Sequence, residues 1–428
     1  MPVSRRTFLA ASAAAASAVP AIAETLTTPP GIAPEKLASD EAWWAQVAKL
    51  YDTPPPGIVQ LEAGHFGAMQ TAVRQAYETR TDKVNRETTL FTRGPANAEM
   101  RGVRTQVAAL LKVDPAEIAF TRGGSESMAV LIGGYNKLKP GDAVLYADLD
   151  YDAMQSGMES LARLRGVRVV KIALPEPATA QSLIDAYEAA LKANPTIRMM
   201  LLTQLSHRTG LVPPVKEIVA LAKARNVDVL LDVGHALGQL DFSLKDLGVE
   251  FAGINLHKWI AAPLGVGVVY IGKDRIPDID PSLLEGPSDK IDARIHTGTV
   301  NFAGILTVPD AITAHQRIGI AAKATRLRHL RDLWVRPLRG VKGIEILTPD
   351  DPALHGGITS FRLTGRTSME ANRAIRQALF DQHRIFTIER DGPAKGCCVR
   401  VSPSFTNSAD DMAKLVTALH GIAAQGKL

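Results

Sequence analysis

Asp232-Val233-Gly234-His235 closes the apolar run Val227–Leu231, and His257-Lys258-Trp259 closes the next, Phe251–Leu256. Short apolar runs bounded by polar residues have the pattern of strands buried on both faces of a parallel sheet. Ligands of open parallel sheets bind at the carboxyl ends of the strands. One sheet edge is therefore expected to present a carboxylate, Asp232, and an amine, Lys258. The flanks Ile254 and Trp259–Ala262 are apolar, and an amine in such surroundings has a lowered pKa and becomes nucleophilic.

Outward from this pair the same alternation continues. Strand candidates lie at Ile118–Thr121, Ala143–Ala147, Val167–Ile172, Met199–Thr203, Val227–Leu231, Phe251–Asn255 and Val266–Ile271, with helical segments between most of them. Strands alternating with helices make βαβ units. The expected fold class is α/β, with a large domain over 57–309 built on a mostly parallel seven-stranded sheet. A helical stretch from Val308 to Leu338 reads as one connecting helix, which fills 310–338 and keeps one solvated face. Residues 339–428 read strand–strand–helix–strand–strand–helix, a small C-terminal α+β domain. Residues 24–56 form an N-terminal arm, helical over 34–51 and ended by Pro54-Pro55-Pro56-Gly57.

The 428 residues are 46% apolar and 22% charged, the balance of a soluble globular protein with a large core. The formal net charge of +5 is too small and too dispersed for a nucleic-acid partner, and it includes Arg5 and Arg6 of a segment expected to be removed. In that segment Ser4-Arg5-Arg6-Thr7-Phe8-Leu9 resembles the twin-arginine export signal. An Ala-rich run, Phe8–Val19, is too short to span a bilayer, and Ala21-Ile22-Ala23 offers a small-x-small cleavage site. Residues 1–23 are thus expected to be a signal peptide, read by the twin-arginine export machinery, and the mature protein to reside in the periplasm. The two cysteines, Cys397 and Cys398, are adjacent and cannot close a loop. With no CxxC and no HExxH, no metal site is expected.

A buried acid and a buried amine at one sheet edge are what pyridoxal 5'-phosphate (PLP) requires. The amine holds its aldehyde as a Schiff base, and the acid keeps its ring nitrogen protonated. Taken alone, Asp232 reads equally as a helix N-cap. Thr121-Arg122-Gly123-Gly124-Ser125-Glu126-Ser127 follows a strand and opens a helix. Glycines let the backbone approach a ligand, and free amides at a helix start bind anions. By itself this motif is also an ordinary turn.

Together with DVGHALGQ at 232–239 and NLHKWIAAPLGVGVVYI at 255–271, these segments resemble the class V aminotransferase family of fold-type I PLP-dependent enzymes, most nearly its isopenicillin N epimerase-like branch. The resemblance spans nearly all of the chain beyond residue 23. It implies PLP as cofactor, Lys258 as the Schiff-base lysine and Asp232 as the partner of the ring nitrogen. It further implies that His235 approaches the cofactor's phenolic oxygen, that Asn255 and His257 contact its phosphate beside Gly124 and Ser125, and that Tyr151 stacks on its ring. His207, in Ser206-His207-Arg208-Thr209-Gly210, is a candidate catalytic residue, with a purely structural role equally open. Gly298-Thr299-Val300-Asn301 resembles a Gly-Thr-Pro-Asn segment whose threonine reaches the phosphate in the neighbouring subunit. Thr299 thus implies a homodimer with a shared active site, although Val300 replaces the proline. Arg400 resembles the arginine that clamps the substrate α-carboxylate, a role suited to a guanidinium fork. His65 and Phe66, after Gly64, are expected to line the substrate pocket.

One departure matters. Desulfurases of this family carry a nucleophilic cysteine on a mobile loop before that arginine. Here Cys397 and Cys398 fall within the strand leading to Arg400, a poor place for a reactive thiol. The expectation is an exported, homodimeric PLP enzyme for an amino acid or the amino-acid side group of a larger metabolite. Its chemistry would be of epimerase, aminotransferase or lyase type, since these reactions share the residues named. Export on this family pattern resembles the periplasmic PLP enzymes that tailor pyoverdine siderophores. Two other readings stay open: a non-catalytic binding protein on a PLP-enzyme fold, and a dinucleotide-dependent oxidoreductase. Against the latter, no GxGxxG opens a first helix, and Gly265-Val266-Gly267 leads into a strand.

Overall fold

The strands, in chain order, are β1 (Val59–Gln60), β2 (Ile118–Thr121), β3 (Ala143–Ala147), β4 (Arg168–Ile172), β5 (Ile197–Thr203), β6 (Asp228–Asp232), β7 (Phe251–Asn255), β8 (Gly267–Ile271), β9 (Ile344–Ile346), β10 (Thr359–Leu363), β11 (Ile385–Phe386), β12 (Ile388–Arg390) and β13 (Cys398–Val401). They come from a computed structural model that describes residues 26–29, 31–52 and 54–425. The proposed signal, 1–23, lies outside the described residues.

Seven strands form one sheet in the order β2-β8-β7-β6-β5-β3-β4. The ladders β4–β3–β5–β6–β7 are parallel, while β8 runs antiparallel to both β7 and β2. The mostly parallel α/β sheet is thus present, with all seven strands where the apolar runs place them. β3 and β8 are buried along their whole length, so their sequences show no polar alternation. Helices cover both faces. Met128, Leu131, Met154 and Met158, from the helices Gly124–Gly134 and Asp152–Arg165, pack in one core layer. Tyr187, Leu191, Ile218 and Val219, from Ala180–Ala193 and Val215–Lys223, pack in the other. Asp228, a polar residue inside an otherwise apolar run, opens β6 and accepts from the Tyr135 hydroxyl at 2.6 Å and from Arg275.

Beyond the sheet the structure corrects three details. The stretch 308–338 is two helices, Phe302–Ile318 and Ile320–Leu338, parted by Gly319 at φ 84°, a conformation that glycine adopts at no steric cost. Helical spacing continues through the glycine, which is why the break was not visible as a change of pattern. In the arm, 34–51 is likewise two helices, Pro34–Ala38 and Glu41–Ala48, the second capped by Asp40. In the small domain three strands, not two, stand between the helices Met369–His383 and Ala409–Gln425. Two of them, β12 and β13, join β10 and β9 in a four-stranded antiparallel sheet, β12-β13-β10-β9.

β1 does not join the large sheet. It pairs in parallel with β11, and an isolated bridge joins Glu62 to Ser402. This pairing carries Glu62 and Gly64 alongside β13, and so brings the early part of the chain against Arg400. The arm is fastened by Arg326 of the helix Ile320–Leu338. Its fully buried guanidinium donates to the Ala38 carbonyl at 2.8 Å, to Glu41 and to the Asn407 carbonyl at 2.7 Å.

Candidate active site

The carboxyl ends of β2, β5, β6 and β7 meet at one cavity of about 590 Å3, lined also by the turn after β3 and by β12 and β13. At the end of β2 the chain passes Gly123 into the helix Gly124–Gly134. The Gly124 N–H donates to Asn255 Oδ1 at 2.7 Å. A Cβ on Gly124 would lie 3.0 Å from Asn255 Nδ2, and one on Gly123 would lie 3.4 Å from His257 Cε1. The glycines therefore let the turn press against the end of β7, with Asn255 tying the two together. The first-turn N–H groups of a helix have no partner within it, so this end is a seat for an anion. Glu126 stands close by, but both its oxygens are taken by Arg122. His257 donates Nδ1–H to the Val266 carbonyl at 3.3 Å. Burial lowers its pKa, and an added anion such as a phosphate would favour protonation of its other nitrogen.

Asp232 ends β6 and accepts from the Gly234 N–H at 2.8 Å. Burial raises its pKa, while that hydrogen bond and Lys258 pull the other way. Lys258 follows β7. Burial lowers its amine to about 8, with Asp232 opposing and Arg400 and Arg390 assisting. Its Nζ lies 3.0 Å from His235 Nε2, and the Trp259 indole N–H points at His235 Nδ1 from a long 3.5 Å. If Nδ1 is the acceptor, Nε2 carries the hydrogen and donates to a neutral amine. Burial holds the His235 ring well below the usual histidine range, which favours the neutral ring.

On the other wall Tyr151 and His207 meet edge to face, centroids 4.9 Å apart, and His207 lies 6.5 Å from His235 with the rings 22° from parallel. His207 is buried and, chiefly for that reason, its pKa is well below normal. Its Nδ1 is enclosed without a partner among the described residues. Beneath it, Thr203 donates to Asp150 at 2.7 Å, and burial raises the Asp150 carboxyl to about 6. Arg208, also buried, reaches the Asp150 carbonyl at 3.3 Å and the Asp391 carboxylate at 2.6 Å. It thereby locks the turn after β3 to the small-domain loop.

Arg400 reaches the same cavity but is already engaged. Its Nη1 donates to the His207 carbonyl at 2.6 Å and its Nη2 to Glu62, and only Nε lacks a partner. Arg390 holds the same Glu62 oxygen at 3.4 Å and is the more exposed of the two, at 26% against 1%. Two guanidiniums share one carboxylate, which leaves one net positive charge at the wall. A bidentate clamp by Arg400 would require Glu62 to move, whereas Arg390 faces the cavity more freely.

Of the residues singled out from the sequence, Lys258, Asp232, His207, Gly124, Ser125, Tyr151, His235, Asn255, His257, Arg400 and His65 line this cavity. Phe66 does not; it is 47% exposed and lines a neighbouring cavity. Thr299 is exposed and lies outside the cavity of its own chain. Sequence reasoning missed Glu62, Arg390, Asp150 and Arg208. Arg208 lies inside the Ser206–Gly210 motif and Asp150 directly before Tyr151, but nothing in one dimension marks which side chain turns inward. Glu62 and Arg390 are more than three hundred positions apart and meet only through the β1–β11 pairing.

The family model described as aminotransferase class V matches residues 66–413. The chain belongs to the aminotransferase class V family. Among relatives, isopenicillin N epimerase of Streptomyces clavuligerus is 26% identical over 392 residues, covering 86% of this chain and 96% of that one. The putative L-cysteine desulfhydrase 1 of Oryza sativa subsp. japonica is 24% identical over 422 residues, covering 89% and 86%. Of solved structures, a cysteine desulfurase from Escherichia coli superposes with a TM-score of 0.75 at 21% identity, covering 89% of this chain and 98% of that one. A lyase variant solved with glycine linked to its PLP cofactor gives 0.73 at 21%, covering 86% and 99%. This class V chain is a PLP-dependent enzyme of fold type I. Its cavity fits the cofactor on its own terms: a glycine-backed helix start for a phosphate, a buried carboxylate for a ring nitrogen, and an amine whose pKa burial lowers to about 8 for an aldehyde. Of the two cysteines expected inside the strand, Cys397 stands just before β13 and is half-buried, its thiol raised by desolvation, and neither cysteine lines the cavity. Cys398 is buried in β13, where desolvation pushes its thiol up to about 12.

Proposed function

We propose that this protein is an exported, homodimeric PLP enzyme that acts at the α-carbon of an amino acid, or of the amino-acid side group of a larger metabolite. The reaction is of epimerase, aminotransferase or lyase type. The observation that carries the reading is Lys258, a buried amine lowered to about 8 that lines the cavity with Asp232 and lies 3.0 Å from His235. Bound PLP supplies an electron-withdrawing ring for charge developing at the substrate α-carbon. Asp232 would hold the ring nitrogen of bound PLP and carry the negative charge that offsets it. Lys258 Nζ takes a proton and returns it, and His235 Nε2 holds that amine in place. Tyr151 and His207 exclude water from the opposite wall. The positive charge left over by Glu62, Arg390 and Arg400 receives a carboxylate.

The likeness to isopenicillin N epimerase over most of both chains supports epimerase-type chemistry, and the buried Cys398 speaks against cysteine-based desulfuration. The Ser4–Leu9 motif supports export to the periplasm, where tailoring of a siderophore's amino-acid side group is the setting we infer. Gly298–Asn301 supports a dimer in which Thr299 serves the neighbouring site.

The test begins with the purified protein. It should be yellow, and borohydride should fix the cofactor to a single peptide containing Lys258. Label on a different lysine would overturn the assignment. Mass spectrometry of products from a panel of amino acids and peptidyl glutamates then identifies which bond is broken.

A further inference from the structure

A second cavity of about 600 Å3 adjoins the first. Tyr51, Phe66, Trp259, Phe386, Ile388 and Phe405 give it largely apolar walls. His65, Lys258 and Arg390 line both cavities, so the two adjoin along these three residues. Arg390 is held at that junction by Glu62, 3.4 Å away.

The walls are built and braced. Phe405 packs edge to face on Tyr51 at 5.6 Å and leans on Trp44 at 6.1 Å. Behind them lies Lys323, 2% exposed, which donates to the Trp259 carbonyl at 2.8 Å and sits 4.5 Å from the centre of the Phe405 ring. His315 Nδ1 is its other neighbour, at 3.0 Å. Nothing in the cofactor site uses this buried lysine. Its contacts fix the spacing of two aromatic walls, and burying an amine away from a counter-charge is costly. Preformed cavities with apolar walls and a few convergent polar groups are the usual form of small-molecule sites.

Resting on the PLP reading above, we propose that this second cavity is the subsite for the substrate's side group. The substrate is an amino acid whose side chain is long and ends in an aromatic or large apolar group. Its α-carbon lies beside Lys258, its chain passes between His65 and Arg390, and its end lies among Phe66, Trp259 and Phe405. A small amino acid would leave water against these rings, whereas an apolar group displaces it favourably.

The holoenzyme tests this without turnover. Titration with L-alanine and with Nε-benzoyl-L-lysine, followed by the absorbance of the bound cofactor, gives two dissociation constants. The benzoyl compound should bind at least about tenfold more tightly. Ala68→Trp, which puts bulk on the cavity wall, should bring the ratio to about one. If that variant fails to fold, Phe66→Ala, at an exposed wall position, should lower the ratio as well. A wild-type ratio near one, or a ratio that neither variant changes, overturns the proposal. So does a change of oligomeric state on sedimentation of Ala68→Trp, which would mean that a second copy of the chain fills the cavity. Cofactor absent from Lys258 sinks the PLP reading and this one together. Cofactor on Lys258 with a flat ratio sinks this one alone.

Discussion

At Asp232 two effects oppose each other. Burial favours the neutral acid, while the Gly234 N–H and Lys258 favour the carboxylate. If Asp232 faces the ring nitrogen of bound PLP, the carboxylate would prevail, because an opposite charge at close range in a dry site outweighs desolvation. Asp232→Asn keeps the size and loses the charge. The variant should still bind cofactor, with turnover down by ~10³-fold or more, an electrostatic loss of several kcal/mol. Single-turnover kinetics on cofactor-saturated protein measures this, and near-normal turnover would refute the charge argument. The same scale shows why Lys258 alone is weak evidence. A lysine in a sequence is usually solvated, and only its burial at the end of β7 lowers it to about 8.

Among the elements, the turn Ser206–Gly210 does two jobs. It presents His207 and Arg208 to the site, and it lets the small domain close on the sheet. Gly210 has φ 82°, and a Cβ there would run into the carbonyl oxygen of Ile358, just before β10. Gly210→Ala should therefore cost well over ~2 kcal/mol, because neither backbone can give way. Gly141→Ala is the control. It shares the positive φ, at 92°, but has open space around it, so the conformational term alone of about 1–2 kcal/mol applies. Denaturant unfolding of both variants should rank them in that order, and equal losses would show that the Ile358 contact does not matter.

For the whole molecule, the exposed Thr299 and the engaged Arg400 make different predictions. If Thr299 serves the neighbouring site, mixing Lys258→Ala with Thr299→Glu homodimers should restore about half of the wild-type activity per heterodimer, since one complete site forms. Lys258→Ala mixed with Arg400→Ala should restore none, because Arg400 lines the cavity that holds its own Lys258. Confirmed subunit exchange without recovery in the first mixture would place Thr299 outside any shared site. Export is tested apart from catalysis. Arg5→Lys combined with Arg6→Lys should leave the precursor in the cytoplasm, since the receptor reads the arginine pair. Unchanged periplasmic protein on fractionation would remove the export proposal.

Local pattern alone located the seven sheet strands, and with them the sheet edge where Asp232 and Lys258 lie, because an apolar run of strand length between polar stops has few other uses. The glycine turn that opens the helix at Gly124 was legible for the same reason, since its signal is contiguous. Gly319 split a helix without altering its periodicity, so the break needed coordinates. The wall of Glu62, Arg390 and Arg400 needed them too, for it exists only because β1 leaves the large sheet to pair with β11. Likewise the second cavity is made by Tyr51, Phe66, Trp259 and Phe405, drawn from distant parts of the chain and braced by Lys323. Sequence determines what each short segment prefers, because those preferences act over a few residues. Which distant segments share a wall is settled by chain pairing and packing, and that is where the tertiary structure decided the site.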